Sequence, residues 1–345
     1  MSFVVINIGL FLSTVLCVGC SHAQLNSMDL PTHTRQLLQP QTGVPKMIYA
    51  DNGVIRVGSD LNKGGAIAFL AQSGAGEPGN VINAHDMGRE VQLSFYGGPN
   101  FYNPPTPQYP NGACDKLFGG VEWPWNPIGA GDIDGNKGEI LDLKQTNTSW
   151  TLTTRPLQWA CHNVSCECTF TQTVSLDGLP GNTGVKLVST LCNNRSDTTV
   201  YPTHSQELPA VYSNGPYFRL VTYTGASPWT NDTLKEYVTG FRGPGAPGGA
   251  WIPGEFTPTE HWAALVNPDG WGMGVVNFGT DAFLGGFAGA KGSGGTNDSP
   301  TGYLAPVASV QLPHNASYTF TSYLVLGDIE TIRSFAEQVR PSHTP

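Results

Sequence analysis

Short runs that alternate polar with apolar residues, each closed by a glycine- or proline-bearing turn, constrain this chain most. In MIYADNGVIRVGSDLNKGGAIAFLAQSG, the signals Asp51-Asn52-Gly53 and Asn62-Lys63-Gly64-Gly65 divide three such runs. Alternation buries one face of a strand, and an Asn-Gly turn between two such runs closes a hairpin. The 345 residues include 43 Gly and 27 Pro, which interrupt helices and build turns. Further strands are expected at 90–96, 139–143, 149–155, 168–174, 185–192, 217–224, 262–266, 274–276, 307–312 and 318–325. One helix is expected over 328–340, capped by Asp328 and stopped before Pro341. Many strands and one terminal helix predict an all-β fold, a large antiparallel β-sandwich. No internal repeat marks a propeller or solenoid.

The N-terminus sets the expected compartment. Ser2 to Gly19 is almost unbroken apolar sequence, followed by Ser21-His22-Ala23. This reads as a signal peptide over residues 1–23, cleaved after Ala23, although no basic residues precede it. The alternatives are a signal anchor and lipid attachment at Cys20. The run is short of the ~20 apolar residues that span a bilayer, and Cys17 stands where a lipoprotein site carries an aliphatic residue. Residues 24–45 are expected to be a flexible segment, and 46–345 a single sandwich domain. The protein is expected to be secreted and extracellular.

Composition narrows the partners. A net charge of -9 argues against nucleic acid and anionic membrane surfaces. It also argues mildly against strongly anionic polysaccharides. Aromatic residues at 10% exclude a disordered stalk. Six Asn-x-Ser/Thr sequons, at Asn147, Asn163, Asn194, Asn231, Asn297 and Asn315, are expected glycosylation sites. Pro300 weakens the one at Asn297.

Cys114, Cys161, Cys166, Cys168 and Cys192 follow the leader. Export makes them disulfide candidates, with one thiol left over. Cys161–Cys192 is one candidate pair, and the connectivity stays open. CHNVSCEC also has metal-like crowding around His162, but an oxidising compartment favours bridges. Asp132-Ile-Asp134-Gly-Asn136 opens like a calcium loop. Lys137 and Leu143 then stand where that loop needs Gly and Glu. No cofactor is expected.

No sharp catalytic motif is present. Three polar clusters and one aromatic segment remain. The first, Asn83-Ala-His85-Asp86-Met-Gly-Arg89-Glu90, offers an imidazole and a guanidinium for sugar hydroxyls, or a structural Arg–Asp pair at a turn. The second, His204-Ser-Gln206-Glu207, lies between expected strands. A His–carboxylate pair performs acid–base work near neutrality. In an extended segment, however, His204 shares a face with Gln206, and only a bend brings it to Glu207. The third is Glu260-His261-Trp262, a candidate sugar contact or a buried Trp beside a solvated Glu. The long loop 97–138 carries Phe101, Tyr102, Tyr109, Trp123 and Trp125, with Tyr96 beside it. Loops of this length usually serve a site. Its rings either stack on sugar faces or pin the loop to the sheet.

The stretch GVIRVGSDLNKGGAIAFLAQSGAGEPGNVINAHDMGREVQLSFYGGP resembles the opening of secreted galactose-mutarotase-like β-supersandwich proteins. There a strand pair with a GG-x-I-x-x-L phrase leads to a polar cluster. QELPAVY, EHWAALVNPDGWGMGVV and YLVLGDIETIRSFAEQVR resemble a secreted family with the same supposed fold. The resemblance covers about residues 46–340. It implies a carbohydrate-active superfamily in which mutarotases use a His acid and a Glu base, and whose sandwich lyases and hydrolases share. The sequence around His204 and Glu207 departs from the mutarotase motif, so those roles are not carried over.

The expected function is a secreted glycoprotein that binds carbohydrate or polysaccharide and acts on glycan chains as a hydrolase, lyase or epimerase. The expected catalytic residues are Glu207 with His204 or His85. The expected substrate contacts are Arg89, Tyr96, Trp123, Trp125 and Glu260. The alternative is a non-catalytic extracellular matrix protein.

Overall fold

The computed structural model describes residues 46–341. The expected leader and the segment 24–45 lie outside the described residues. Two large antiparallel sheets form the sandwich. One has ten strands, in the order Met47–Asp51, Ile55–Asp60, Ala66–Gln72, Val91–Ser94, His204–Asn214, Thr301–Val310, Ala282–Ala288 and Gly254–Phe256, with Pro127–Ile128 and Leu157–Gln158 off this path. The other has nine, in the order Lys235–Tyr237, Arg219–Thr222, Trp262–Val266, Trp271–Val276, Ala316–Asp328, Gly184–Asn193, Cys168–Ser175, Ser149–Arg155 and Glu139–Gln145. A small hairpin pairs Gly240–Phe241 with Trp251–Ile252.

Alternation makes the core. Trp150 and Leu152, then Phe170 and Val174, then Val185, Leu187 and Leu191 point inward from successive strands. Most of them meet Ile55, Val57, Leu70, Val91, Val211 and Leu304 of the other sheet, while Phe170 and Leu191 pack with Leu93 and Leu208. Each fully buried side chain of this size stabilises the fold by about 1.5–3 kcal/mol relative to exposure.

Two long strands, besides six short ones of two or three residues, are missing from the sequence reading. The first is His204–Asn214, at the centre of the ten-stranded sheet. Pro209 and the polar residues before it disguise it, since Pro is normally kept out of central strands. The strand tolerates Pro209 because its register shifts between Glu207 and Val211, where the ladder is already interrupted. The second is Ala282–Ala288, whose Gly285-Gly286 pair hides the alternation. Gly286 is required: a Cβ there would lie 2.9 Å from the carbonyl oxygens of Gly240 and Ile252, on the small hairpin.

The cysteines pair as Cys114–Cys161 and Cys166–Cys168, and Cys192 is free. This corrects the Cys161–Cys192 candidate. Cys161 lies in a loop bridged to Cys114, whereas Cys192 sits on a strand opposite Thr169 and Ser317. The metal reading of CHNVSCEC fails because its three cysteines are held in those bridges. Asp132 has a structural role in its turn. Its carboxylate accepts the backbone N–H groups of Asp134, Asn136 and Asn163 at 2.8–3.0 Å and so shapes the turn. Among the described residues, no helix is long and apolar enough to cross a membrane.

The helix Ile329–Val339 closes the outer face of the nine-stranded sheet. Asp328 caps it through the Thr331 N–H at 2.8 Å. Ile332, Phe335 and Ala336 face Trp262, Val276 and Val325. One buried ion pair fixes the helix position: Arg333 contacts both oxygens of Glu260, at 2.6 and 2.9 Å. Glu260 is fully buried and also accepts Trp262 Nε1 at 2.9 Å and Trp229 N–H at 2.7 Å. Removing one partner of such a pair leaves an uncompensated buried charge. Arg333→Ala is therefore expected to destabilise the fold by about 3–5 kcal/mol in denaturant unfolding; a loss under ~1 kcal/mol, the range of a surface pair, contradicts this role.

Candidate functional site

Side chains of strand His204–Asn214 alternate between the sheets' interior and the opposite face. Gln206 is fully buried on the interior side, accepting Tyr96 N–H at 2.8 Å and donating to the Tyr96 carbonyl at 2.7 Å. This brackets the Tyr96 backbone. Glu207 emerges on the other face, opposite Ser94 and Val307. Its carboxylate accepts the Tyr303 hydroxyl, and the Ser94 hydroxyl hydrogen-bonds both it and the Tyr96 phenol. Burial raises the Glu207 pKa, and the bonds from Ser94 and Tyr303 offset part of the rise. The phenols of Tyr96, Tyr212 and Tyr303 are held above their ordinary value by burial first and by the Glu207 charge second. Trp251 stacks on Tyr303 at 4.7 Å and 14°, and Tyr212 lies 5.0 Å from the Tyr303 ring. One carboxyl group is thus set among three phenols and an indole.

Two loops rise beside this face. The chain after Ser94 enters the long aromatic segment and returns at Asn126. Asn126 Nδ2 donates to Ser94 Oγ at 3.1 Å, and its Oδ1 accepts Trp123 Nε1 at 3.2 Å. A hydrogen-bonded path therefore runs from Trp123 through Asn126 to Ser94, which stands opposite Glu207 on the neighbouring strand. The small hairpin brings Trp251 from the other side, and a Cβ on Gly245 at its tip would lie 3.5 Å from Val121 of the long loop.

The expected constellation is only partly assembled. Glu207 and Tyr96 share the phenol-rich face. His204 precedes Glu207 by three positions in a regularly paired stretch, which places it on the opposite face. His85 is exposed and its Nδ1 lies 2.7 Å from the Asn297 carbonyl oxygen. Neither histidine hydrogen-bonds Glu207 among the described residues, so the proton partner in place is Tyr303. Arg89 does not offer a free guanidinium. It contacts Asp86 at 3.2 Å, the Ser299 carbonyl at 2.7 Å and Asn83 at 3.3 Å, as a structural pair would. Trp125 offers no stacking face, because it is 2% exposed and packs with Leu93 and Phe95. Glu260 is spent on Arg333 and Trp262. Trp123 is half-buried and walls a shallow depression with Phe101 and Tyr102. All six sequon asparagines are exposed.

Sequence reasoning missed Ser94, Trp251 and Tyr303, whereas Asn126 in the long loop and Tyr212 flanking the second cluster were among its candidates. Tyr303, Ala305 and Val307 do alternate, but only strand pairing reveals that this row lies beside Glu207.

Glu90 sits where the first cluster joins strand Val91–Ser94. It is fully buried, its Oε1 lies 2.7 Å from Lys63 Nζ, and burial pushes its pKa up to about 8 against the pull of Lys63. The nearby carboxylates of Asp86 and Asp60 push the same way. A carboxyl with a raised folded-state pKa binds more protons folded than unfolded. Its contribution to stability is present below the unfolded value of 4.5 and is lost as pH rises toward about 8. Glu90→Gln is expected to flatten the fall of melting temperature across that window; an unchanged pH slope contradicts this.

No family model matches the chain, and no curated protein matches it. Among solved structures it is similar to a galactose mutarotase-like protein from Clostridium acetobutylicum, at 9% identity and TM-score 0.45, covering 82% of this chain and 95% of that one. It is similar to a galactose mutarotase-like protein from Lactobacillus casei at 12% identity and TM-score 0.44, covering 81% and 99%. A galactose mutarotase related enzyme from Lactobacillus acidophilus follows at 10% identity and TM-score 0.41, covering 81% and 97%. The chemistry available to this chain rests on its own residues.

Proposed function

We propose that the phenol-lined face around Glu207 binds carbohydrate, and that Glu207 exchanges protons with the bound sugar in an exported, glycosylated protein. The observation that carries this reading is the setting of Glu207: desolvated, hydrogen-bonded by Tyr303 and Ser94, and flanked by the Trp251–Tyr303 stack. A raised carboxyl pKa brings a general acid closer to neutral pH. Aromatic faces fit the C–H faces of a pyranose, and the hydroxyls of Ser94 and the tyrosines suit its polar rim. The two disulfides and six exposed sequons support export.

The site favours proton transfer over bond hydrolysis. Glycosidases commonly place two carboxyl groups about 5–9.5 Å apart. Among the described residues, Glu207's hydrogen-bond partners are a phenol and an alcohol, and Asp86, whose charge also reaches the Tyr212 phenol, is held by Arg89. Lyase chemistry needs a cation to neutralise a uronate, and the guanidinium of Arg89 is occupied. One acid with one phenol suits an epimerase-type step, moving a proton on and off the anomeric or ring oxygen as the ring opens and closes.

Glu207→Gln is expected to slow anomer interconversion by about 10²–10⁴-fold, the usual contribution of a general acid–base group, while glycan-array binding persists. Polarimetry or NMR exchange on anomerically pure aldoses reads the rate. Unchanged turnover in the variant removes the assignment. Because burial raises the Glu207 pKa, activity that needs the protonated acid declines as pH rises through that raised value, and the Gln variant lacks this limb. Wild-type binding without turnover leaves a lectin-like module.

A further inference from the structure

The expected glycosylation site at Asn163 differs from the other five in its surroundings. Asn163 lines an open cleft of about 330 Å³, together with Gln108, Tyr109, Asp134, Asn136 and His162. Sites that take small ligands run from ~300 Å³ upward, so this volume suits one or two sugar rings. The walls are fixed. Cys114–Cys161 bridges the long loop to the corner that carries Asn163. Beside that bridge, His162 Nδ1 lies 2.7 Å from Asp134 Oδ2 and its Nε2 lies 3.3 Å from Asp115 Oδ1. Tyr109 stacks on the His162 ring at 4.8 Å and 25°, yet remains 42% exposed. The Asn163 backbone is held by Asp132 Oδ2 at 2.8 Å, with φ 53°, and its side-chain amide has no hydrogen bond to any described residue. Asp134 Oδ1 and Asn136 Oδ1 are acceptors likewise left unpaired by the described residues.

We infer that Asn163 carries an N-linked glycan whose first sugars fold back into this cleft. The proposal rests on the export reading, since the modification occurs only in the secretory pathway. The donor is a polyprenyl-diphosphate-linked oligosaccharide. The Nδ2–C1 bond forms as the C1–O bond to the diphosphate breaks, Nδ2 gives up one proton, and the polyprenyl diphosphate leaves. The first N-acetylhexosamine then lies along the exposed part of the Tyr109 ring. Its acetamido N–H and hydroxyls donate to Asp134 Oδ1, Asn136 Oδ1 and the Gln108 carbonyl. The cleft is therefore filled by the chain's own glycan, and the long loop gains a covalent-tethered strut beside its disulfide.

The test uses the full chain, expressed in a secreting eukaryotic cell and recovered from the medium. Native protein is digested with an N-glycan amidase, and each sequon is followed by glycopeptide mass spectrometry. The expected result is that Asn163 is occupied and its glycan is released about tenfold more slowly than those on Asn147 and Asn315, equivalent to ~1.4 kcal/mol of protecting contact. Tyr109→Ala is expected to bring the Asn163 rate up to theirs, and Tyr109→Phe to leave it slow. Equal release rates in the unaltered protein overturn the proposal, as does slow release that survives Tyr109→Ala. An exported chain modified elsewhere but bare at Asn163 removes this proposal alone; a chain retained in the cell with no sequon modified removes the export reading as well.

Discussion

A carboxyl group withdrawn from water must be either neutralised or answered by hydrogen bonds, and Glu207 obliges the centre of this sandwich to do so. It sits on an interior strand of the larger sheet, where neighbours on both sides restrict water. Tyr303 comes from the next strand on one side and Ser94 from the strand on the other. Ser94 in turn is held by Asn126, which anchors Trp123. The demands of a single acid thus align three strands and the root of the long loop. Removing any member leaves a buried polar group unpaired, at a cost of about 1–3 kcal/mol. The same economy explains Glu260, which gathers Arg333, Trp262 and Trp229 at the other end of the molecule.

The sandwich was legible because most of its strands bury one face only. Ser149–Arg155 and Trp262–Val266 match the expected bounds, and the helix differs from its expectation by a single residue at either end. The strand that carries the site was not legible as a strand. Its residues answer to two interiors at once, so alternation is blurred, and Pro209 falls at the register shift. The acid itself was legible as a candidate; its partners were not. Tyr303 lies 96 positions away in sequence and meets Glu207 only through antiparallel pairing. The histidines misled because proximity along a strand is not proximity in space: three positions reverse the face.

The long loop is less a free flap than a clamped one. Backbone bonds from His162 to Ala113 and from Asp115 to Ala160 flank the Cys114–Cys161 bridge. The imidazole of His162 then spans Asp134 and Asp115, whose proximity favours its protonated form and raises its pKa, with the hydrogen bond to Asp134 as the largest cause. A group shifted in this direction strengthens the clamp at acid pH, and the contribution is lost as pH rises through the folded-state value. Its carboxylate partners are substantially exposed, so solvent screens much of that effect. The bridge and the backbone bonds carry the attachment at neutral pH. The loop's aromatic residues divide accordingly, with Trp125 serving the interior and Trp123 and Tyr109 serving the surface.

Gln206 and Glu207 are adjacent on one strand, and they face opposite worlds. A slip of one residue in that strand would send the acid inward among Leu208 and Phe320 and present the amide to the tyrosines. The interior would then hold an unanswered charge, and the Tyr303 hydroxyl on the outer face would lose its acceptor. Misalignment here is therefore penalised twice, once by the solvent-free interior and once by the unpaired phenols outside. The alternation of this one strand thus fixes both its register and the make-up of the two surfaces it divides.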